Sequence, residues 1–199
     1  MTSVASSVLW LLRHGETPWT VTGRHTGRTD VPLTPRGERQ AAALGRRLDG
    51  RRFSLVMTSP LARARETCRF AGYGETAAVD PDMQEWDYGT YEGKTTAEIR
   101  VEAPAWTVWA AGAPGGEMPA DVGRRADAVI ARALAAGGHV ALFAHGHFLR
   151  VVAARWLGLL PSGGGSLALD TASVSLIGFE REQRVIRHWN EICHLEGER

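Results

Sequence analysis

Short unbroken apolar runs alternate along the chain with stretches in which apolar residues recur every three or four positions, and these two periods predict alternating strands and helices. Residues 8–12 form an apolar run that stops at Arg13-His14-Gly15, as a buried strand stops where a loop begins. Residues 34–48 read as a helix, with Thr34 as N-cap, Pro35 in the first turn and Ala42, Leu44 and Leu48 at apolar positions. A second strand is predicted at 55–57, followed at Ser59-Pro60 by a helix that carries Arg63 and Arg65 and runs to about Phe70. Residues 72–116 are richer in Gly, Pro, Trp and Tyr and read as an excursion above a sheet, with a helix near 96–102. A helix over about 117–135 leads into a strand at 139–144, which ends at His145-Gly146-His147, and a helix returns over 148–157. Ser162 and the three glycines after it read as a flexible turn, and 173–179 with 184–189 as a terminal antiparallel pair. No internal repeat or linker is evident. The expected architecture is an α/β fold, a three-layer α/β/α sandwich with a mostly parallel central sheet, in one domain over 1–199 with residues 72–116 as an insertion capping the site. In such sheets ligands sit beyond the carboxyl ends of the strands, which is where both His14 and His145 fall.

Composition narrows the classes. The 199 residues carry 23 basic and 22 acidic side chains, a net charge of +1, which excludes a general electrostatic nucleic-acid binder and a polybasic membrane protein. Lys94 is the only lysine, so an arginine near a motif carries less weight here than in an average chain. Cys68 and Cys193 belong to no C-x-x-C pair or zinc-ligand spacing, which excludes a disulfide scaffold. The N-terminal apolar stretch is short and lacks a basic flank, so it reads as a core strand rather than a signal peptide, and no run approaches a membrane span. A soluble, cytoplasmic protein is expected.

The densest chemistry lies at residues 11–17. A histidine at a strand end, beside an arginine and before a glycine, suits phosphoryl transfer: imidazole is a neutral nucleophile near pH 7, guanidinium forks grip phosphate oxygens, and glycine lets backbone N–H groups approach an anion. Alone, the triplet favours this chemistry only modestly over a core histidine beside a surface arginine.

The ordered motifs go further. RHGETPW (13–19), GRHTGRTDVPLTPRG (23–37), TSPLARARET (58–67), EWDYGTYEG (85–93), GGE (115–117) and FAHGHFLR (143–150) resemble, in sequence order, the histidine phosphatase superfamily with its phosphoglycerate-mutase-like fold. The resemblance implies that His14 is the nucleophile that becomes phosphohistidine. It also implies that Arg13, Arg63 and a protonated His145 complete the grip on the transferring group, and that Glu85 is the proton donor to the leaving oxygen. These charges suit a loose transition state that spreads negative charge over three oxygens without a metal. Between Arg63 and Arg65 the motif favours Arg63, and residues two apart on a helix cannot both face one ligand. Glu92 reads as an exposed loop glutamate.

This chain has Thr20 where many members have asparagine, and a hydroxyl there can still donate to a phosphate oxygen. Thr26 and Gly27 add a hydroxyl and backbone donors, Gly146 an amide at the start of a helix, and Tyr88 a wall of the cleft. Trp86, Trp106 and Trp109 read more readily as core. His145 and His147 with His25 lack a carboxylate or cysteine at ligand spacing, so no metal and no cofactor is expected. His147 reads as a helix-cap or rim residue, His25 as a rim or solvated loop residue, and His139, His188 and His194 as structural or surface residues.

The expected function is a phosphomonoesterase acting on small phosphorylated metabolites, with inorganic phosphate as product and neither nucleic acid nor membrane as partner. Within the resembling superfamily the motifs are most similar to small acid phosphatases and sugar-bisphosphatases. The alternative enzyme is a 2,3-bisphosphoglycerate-dependent phosphoglycerate mutase, disfavoured by the short connection between residues 93 and 115 and the brief tail after Trp189. A third reading is a non-catalytic phospholigand-binding module. An apolar edge strand and seven tryptophans permit a homodimer without requiring one.

Overall fold

The computed structural model describes residues 7–197. Its core is a six-stranded sheet in the order β3-β2-β4-β1-β5-β6, built from β1 (Val8–Arg13), β2 (Leu55–Thr58), β3 (Ala77–Val79), β4 (His139–Ala144), β5 (Val174–Glu180) and β6 (Gln183–Glu191). The first four strands in that order are parallel, while β5 runs antiparallel to β1 and forms a hairpin with β6. Because β1 and β4 are covered on both faces, they read as continuous apolar runs.

Alternation along β1 sorts its side chains to two layers. Leu9 and Leu11 join Val140, Leu142, Val122, Phe148 and Trp156 on the face covered by α6 (Pro119–Ala136) and α7 (Gly146–Trp156). Trp10 and Leu12 join Leu44, Leu48, Cys68 and Phe143 on the face covered by α2 (Pro35–Leu48) and α3 (Ala62–Phe70). The expected three-layer α/β/α sandwich is the one observed. Among the described residues, no helix is long and apolar enough to cross a membrane.

Local chemistry sets the boundaries. Thr34 caps α2 by accepting the Gly37 N–H at 3.0 Å, with Pro35 at the first helical position. Helix α3 begins at Ala62, later than Ser59-Pro60 suggests, because the Ser59 N–H still donates to Phe143 O at 3.0 Å and prolongs the sheet. Its cap comes from elsewhere in the chain: Asp30 Oδ1 accepts the Ala62 N–H at 2.8 Å. Residues 77–79, expected within the excursion, are instead the edge strand β3. Three residues show no periodicity, and pairing with β2 makes them a strand. The short helices α1 (Pro18–Val21) and α5 (Val108–Ala111) also escape a periodicity argument, whereas α4 (Thr96–Glu102) lies where expected.

The loop after β1 is locked by one backbone contact. A Cβ on Gly15 would lie 2.4 Å from Gly37 O, and one on Gly37 would lie 2.1 Å from Glu16 O. The obstacle is main chain on both sides, so no rotamer change relieves it. Gly37→Ala is therefore expected to cost about 1–3 kcal/mol, lowering the melting temperature by about 2–4 °C per kcal/mol. A thermal melt within about 1 °C of the parent would contradict this packing.

Candidate active site

His14 and His145 each follow the last residue of a central parallel strand, β1 and β4, whose register pairs Arg13 with Ala144. The His14 N–H donates to Ala144 O at 3.0 Å, and the two imidazoles stand side by side with centroids 5.2 Å apart. Above them opens a pocket of about 250 Å³, lined at its floor by Arg13, His14 and Gly146 and on its sides by Thr20, Thr26, Glu85 and Tyr88.

The tautomer of His14 is fixed by a carbonyl. Its Nδ1 lies 2.8 Å from Gly15 O, which can only accept, so Nδ1 carries the proton and Nε2 presents its lone pair. Burial first, then the charges of Arg63 and Arg13, hold its pKa well below the usual imidazole range, against the weaker opposing pull of the Gly15 carbonyl.

His145 differs from expectation. Its Nδ1 accepts the Arg63 Nε–H at 3.2 Å and its Nε2 lies 2.7 Å from Ser59 Oγ. Guanidinium cannot accept, so Nδ1 is bare and the ring is neutral. Burial, Arg63 and His14 push its pKa well below the usual value. The expected imidazolium is therefore replaced by a neutral ring that positions Arg63. Arg63 itself is fully buried, while Arg65 two residues on is exposed. Its Nη1 donates to Thr29 O at 3.0 Å, and its Nη2 to Thr26 O at 3.0 Å and Gly27 O at 2.8 Å. It stands behind the pocket wall and ties the first loop to the sheet edge. Arg13 lies on the wall, with Nη1 donating to Leu169 O, and its guanidinium packs so closely on α7 that a Cβ at Gly146 would lie 3.2 Å from Cζ.

The carboxylate of Glu85 accepts three backbone N–H groups: Trp86 at 2.9 Å, Phe148 at 2.8 Å and His147 at 3.0 Å. The last two belong to the first turn of α7, so Glu85 caps that helix from the excursion, beside Gly146. Arg125 holds its backbone through Gln84 O at 2.9 Å and Asp82 O at 2.5 Å.

Three expected donors are committed elsewhere. The Thr20 hydroxyl donates to Thr17 O at 2.9 Å within a capping box at the start of α1. That of Thr26 donates to Arg24 O at 3.2 Å. The Gly27 N–H donates to Glu92 Oε1 at 2.8 Å, as the Thr29 N–H does at 3.2 Å. Glu92 is thus a half-buried tether of the first loop, contrary to its reading as an exposed residue. Tyr88 does line the pocket, and burial with Glu85 and Glu92 nearby holds its phenol well above the usual value. The neutral phenol and His147 Nδ1 are hydrogen-bonded at 2.6 Å. Burial and Arg150 push His147 well below the imidazole range. The His147 ring stacks with that of His25 at 6.1 Å and 14°, and together with Trp106 and Trp109 they line a smaller adjoining chamber.

Sequence reasoning missed Arg150 and Arg24, which both line the pocket. Arg150 ends the FAHGHFLR motif, and its spacing of four from Gly146 puts it on the same side of α7, which was the available signal. The glycine run at 163–165 is also no flexible turn. It lies in a 3₁₀ segment (Pro161–Ser166), where a Cβ on Gly164 would lie 2.8 Å from the Trp109 ring.

With this geometry in view, comparison with known proteins identifies the family. The family model described as "Histidine phosphatase superfamily (branch 1)" matches residues 9–192, and the chain belongs to that superfamily. It is 43% identical over 180 residues to an acid phosphatase of Mycobacterium tuberculosis, covering 88% of each chain. It is 35% identical over 182 residues to the sedoheptulose 1,7-bisphosphatase of Saccharomyces cerevisiae, covering 75% of this chain and 67% of that one. The solved structure of an open reading frame product of Mycobacterium tuberculosis superposes with a TM-score of 0.88 at 41% identity, covering 92% of this chain and 97% of the other.

The buried neutral histidines make stability depend on pH. Unfolded, His14, His145 and His147 titrate near the ordinary value of about 6.5; folded, they do so well below it. Below about pH 6.5 the unfolded chain therefore binds more protons, and stability present at neutral pH is lost as the pH falls, with a slope of at most about 1.4 kcal/mol per pH unit per histidine. Denaturant titrations at pH 7 and pH 5 are expected to show this loss, and His145→Gln, which cannot titrate, to show a shallower one. Equal slopes in the variant and the parent would show that His145 is not held neutral.

Proposed function

We propose that this chain is a metal-independent phosphomonoesterase that hydrolyses small phosphorylated metabolites by double displacement through phosphohistidine at His14. The observation that carries the reading is the fixed His14 tautomer: a bare Nε2, held by the Gly15 carbonyl, in a ring on the pocket floor beside Arg13 and the first amide of α7. The acid phosphatase and bisphosphatase relatives support it.

In the first step His14 Nε2 attacks phosphorus, the bond to the ester oxygen breaks, and that oxygen takes a proton from the Glu85 carboxyl. In the second step water attacks the phosphohistidine, yields its proton to Glu85, and the N–P bond breaks to release inorganic phosphate. Charge on the transferring oxygens meets Arg13 directly, the field of Arg63 from behind the wall, and the Gly146 N–H at the positive end of α7. His145 acts through Arg63. Because burial and the neighbouring arginines depress His14, it stays a free base in mildly acidic medium. Residues 80–116 act as the cap, contributing Glu85, Tyr88 and Thr96 to the wall. We assign the activity to the cytoplasm, on the ground that Cys68 and Cys193 are free thiols.

His14→Ala is expected to lower kcat by more than about 10³-fold, and the parent quenched during turnover to carry an acid-labile, alkali-stable phosphoryl group. Glu85→Gln is expected to lose about 10²- to 10⁴-fold on alkyl phosphates, and less on p-nitrophenyl phosphate, whose leaving group departs without a proton. Turnover by His14→Ala within about tenfold of the parent would remove the nucleophile assignment.

A further inference from the structure

We propose that Gln40 is a positioning residue for His14: its side-chain carbonyl holds the Gly15–Glu16 peptide in the orientation that keeps the proton on Nδ1 and leaves Nε2 free to attack. This role rests on the hydrolytic reading for the identity of the nucleophile.

One peptide group carries both contacts. Its carbonyl, Gly15 O, accepts the His14 Nδ1–H at 2.8 Å, and its N–H, on Glu16, donates to Gln40 Oε1 at 2.9 Å. A run of hydrogen bonds therefore leads from α2, through a single peptide, to the ring proposed to become phosphohistidine. Each bond in such a run strengthens the next by polarising the group they share. The preceding peptide is pinned separately, with the Gly15 N–H donating to Thr67 Oγ1 at 3.0 Å. Between the two peptides stands Gly15, which has no Cβ to restrict their relative rotation.

A half-turn of the Gly15–Glu16 peptide would aim the Glu16 N–H at His14 and the Gly15 carbonyl away from it. Nδ1 would then accept, the proton would sit on Nε2, and the nucleophilic lone pair would be lost. In that orientation the Gln40 oxygen would face a second acceptor, the turned Gly15 carbonyl, in place of the N–H it now receives.

Burial ties the amide to this contact. Gln40 is only 5% exposed, and it lies one turn beyond Gly37, where the lack of a side chain lets α2 rest on the Glu16 main chain. The other buried residues of α2 are Gly37, Ala41, Ala43, Leu44 and Leu48, all without a polar side chain. An amide in that row is costly unless it is paired, and packing alone would be served by an apolar side chain.

The test reads the ring itself. In protein carrying isotope-labelled histidine, protonated and bare ring nitrogens give separate NMR signals at neutral pH, and His14→Ala identifies those of His14. The parent is expected to be protonated at Nδ1 and bare at Nε2. Gln40→Met, similar in size but without the acceptor, is expected to populate the other tautomer and to lower kcat about tenfold, with KM within about twofold of the parent. Gln40→Glu, which can only accept and so enforces the same orientation, is expected to keep the parental signals and a kcat within about threefold. Leu44→Ala, one turn farther along the same buried face, is expected to lower the melting temperature and leave the ring signals in place, which separates positioning from general loosening. Parental His14 signals in Gln40→Met overturn the role whatever the stability of the variant. So do altered signals with a parental kcat, a parent protonated at Nε2, or signals that move as far in Leu44→Ala or Gln40→Glu as in Gln40→Met. If the parent hydrolyses no ester, the hydrolytic reading fails separately, and the ring signals still decide whether Gln40 sets the tautomer.

Discussion

Everything at the site depends on the parallel pairing of β1 with β4. Their register ends both strands at one level, and the His14 N–H continues the ladder one residue past Arg13 by donating to Ala144 O. Two chain segments separated by more than a hundred residues therefore deliver their imidazoles to adjacent positions with no side-chain contact needed to hold them there. A slip of one residue would turn one of the two rings toward the opposite layer. Leu9 and Leu11 on one face and Trp10 and Leu12 on the other forbid that slip.

Desolvation then decides the charge states. Two guanidiniums and two imidazoles share a buried volume, and the lower cost is met by keeping the arginines charged and the histidines neutral. Arg63 is the hinge of this arrangement. It neutralises no acid directly, but three loop carbonyls and His145 Nδ1 surround it, so its charge is solvated by the protein. The first loop cannot drift from the sheet edge without unsolvating that charge, and Glu92 fastens the same loop from the other side.

Much of this was legible in the chain. Continuous apolar runs ending in histidine marked the central strands and the edge of the sheet that holds the site, and the Thr34-Pro35 pair marked the start of a helix. Ordered motifs named His14, Glu85 and Gly146, and all three line the pocket. What escaped was settled by tertiary partners rather than by local pattern. Three residues at 77–79 become a strand through β2, and Glu92 becomes a tether through two amides on another loop. Glycines that read as flexible are instead small, to admit Trp109. The charge of His145 was misjudged because a motif names the residue but not the guanidinium pointing at its Nδ1. Arg150 was passed over because arginine is abundant in this chain.

The position of Glu85 binds chemistry to architecture. Its carboxylate is both the proposed proton carrier and the group that terminates α7, two of whose first amides it satisfies. The same helix offers its preceding amide, at Gly146, to the pocket floor. In the proposed reaction, charge gained by this carboxyl on giving up its proton would fall on the group that two amides of α7 already contact. The cap and the beginning of this helix are thereby joined through a single side chain.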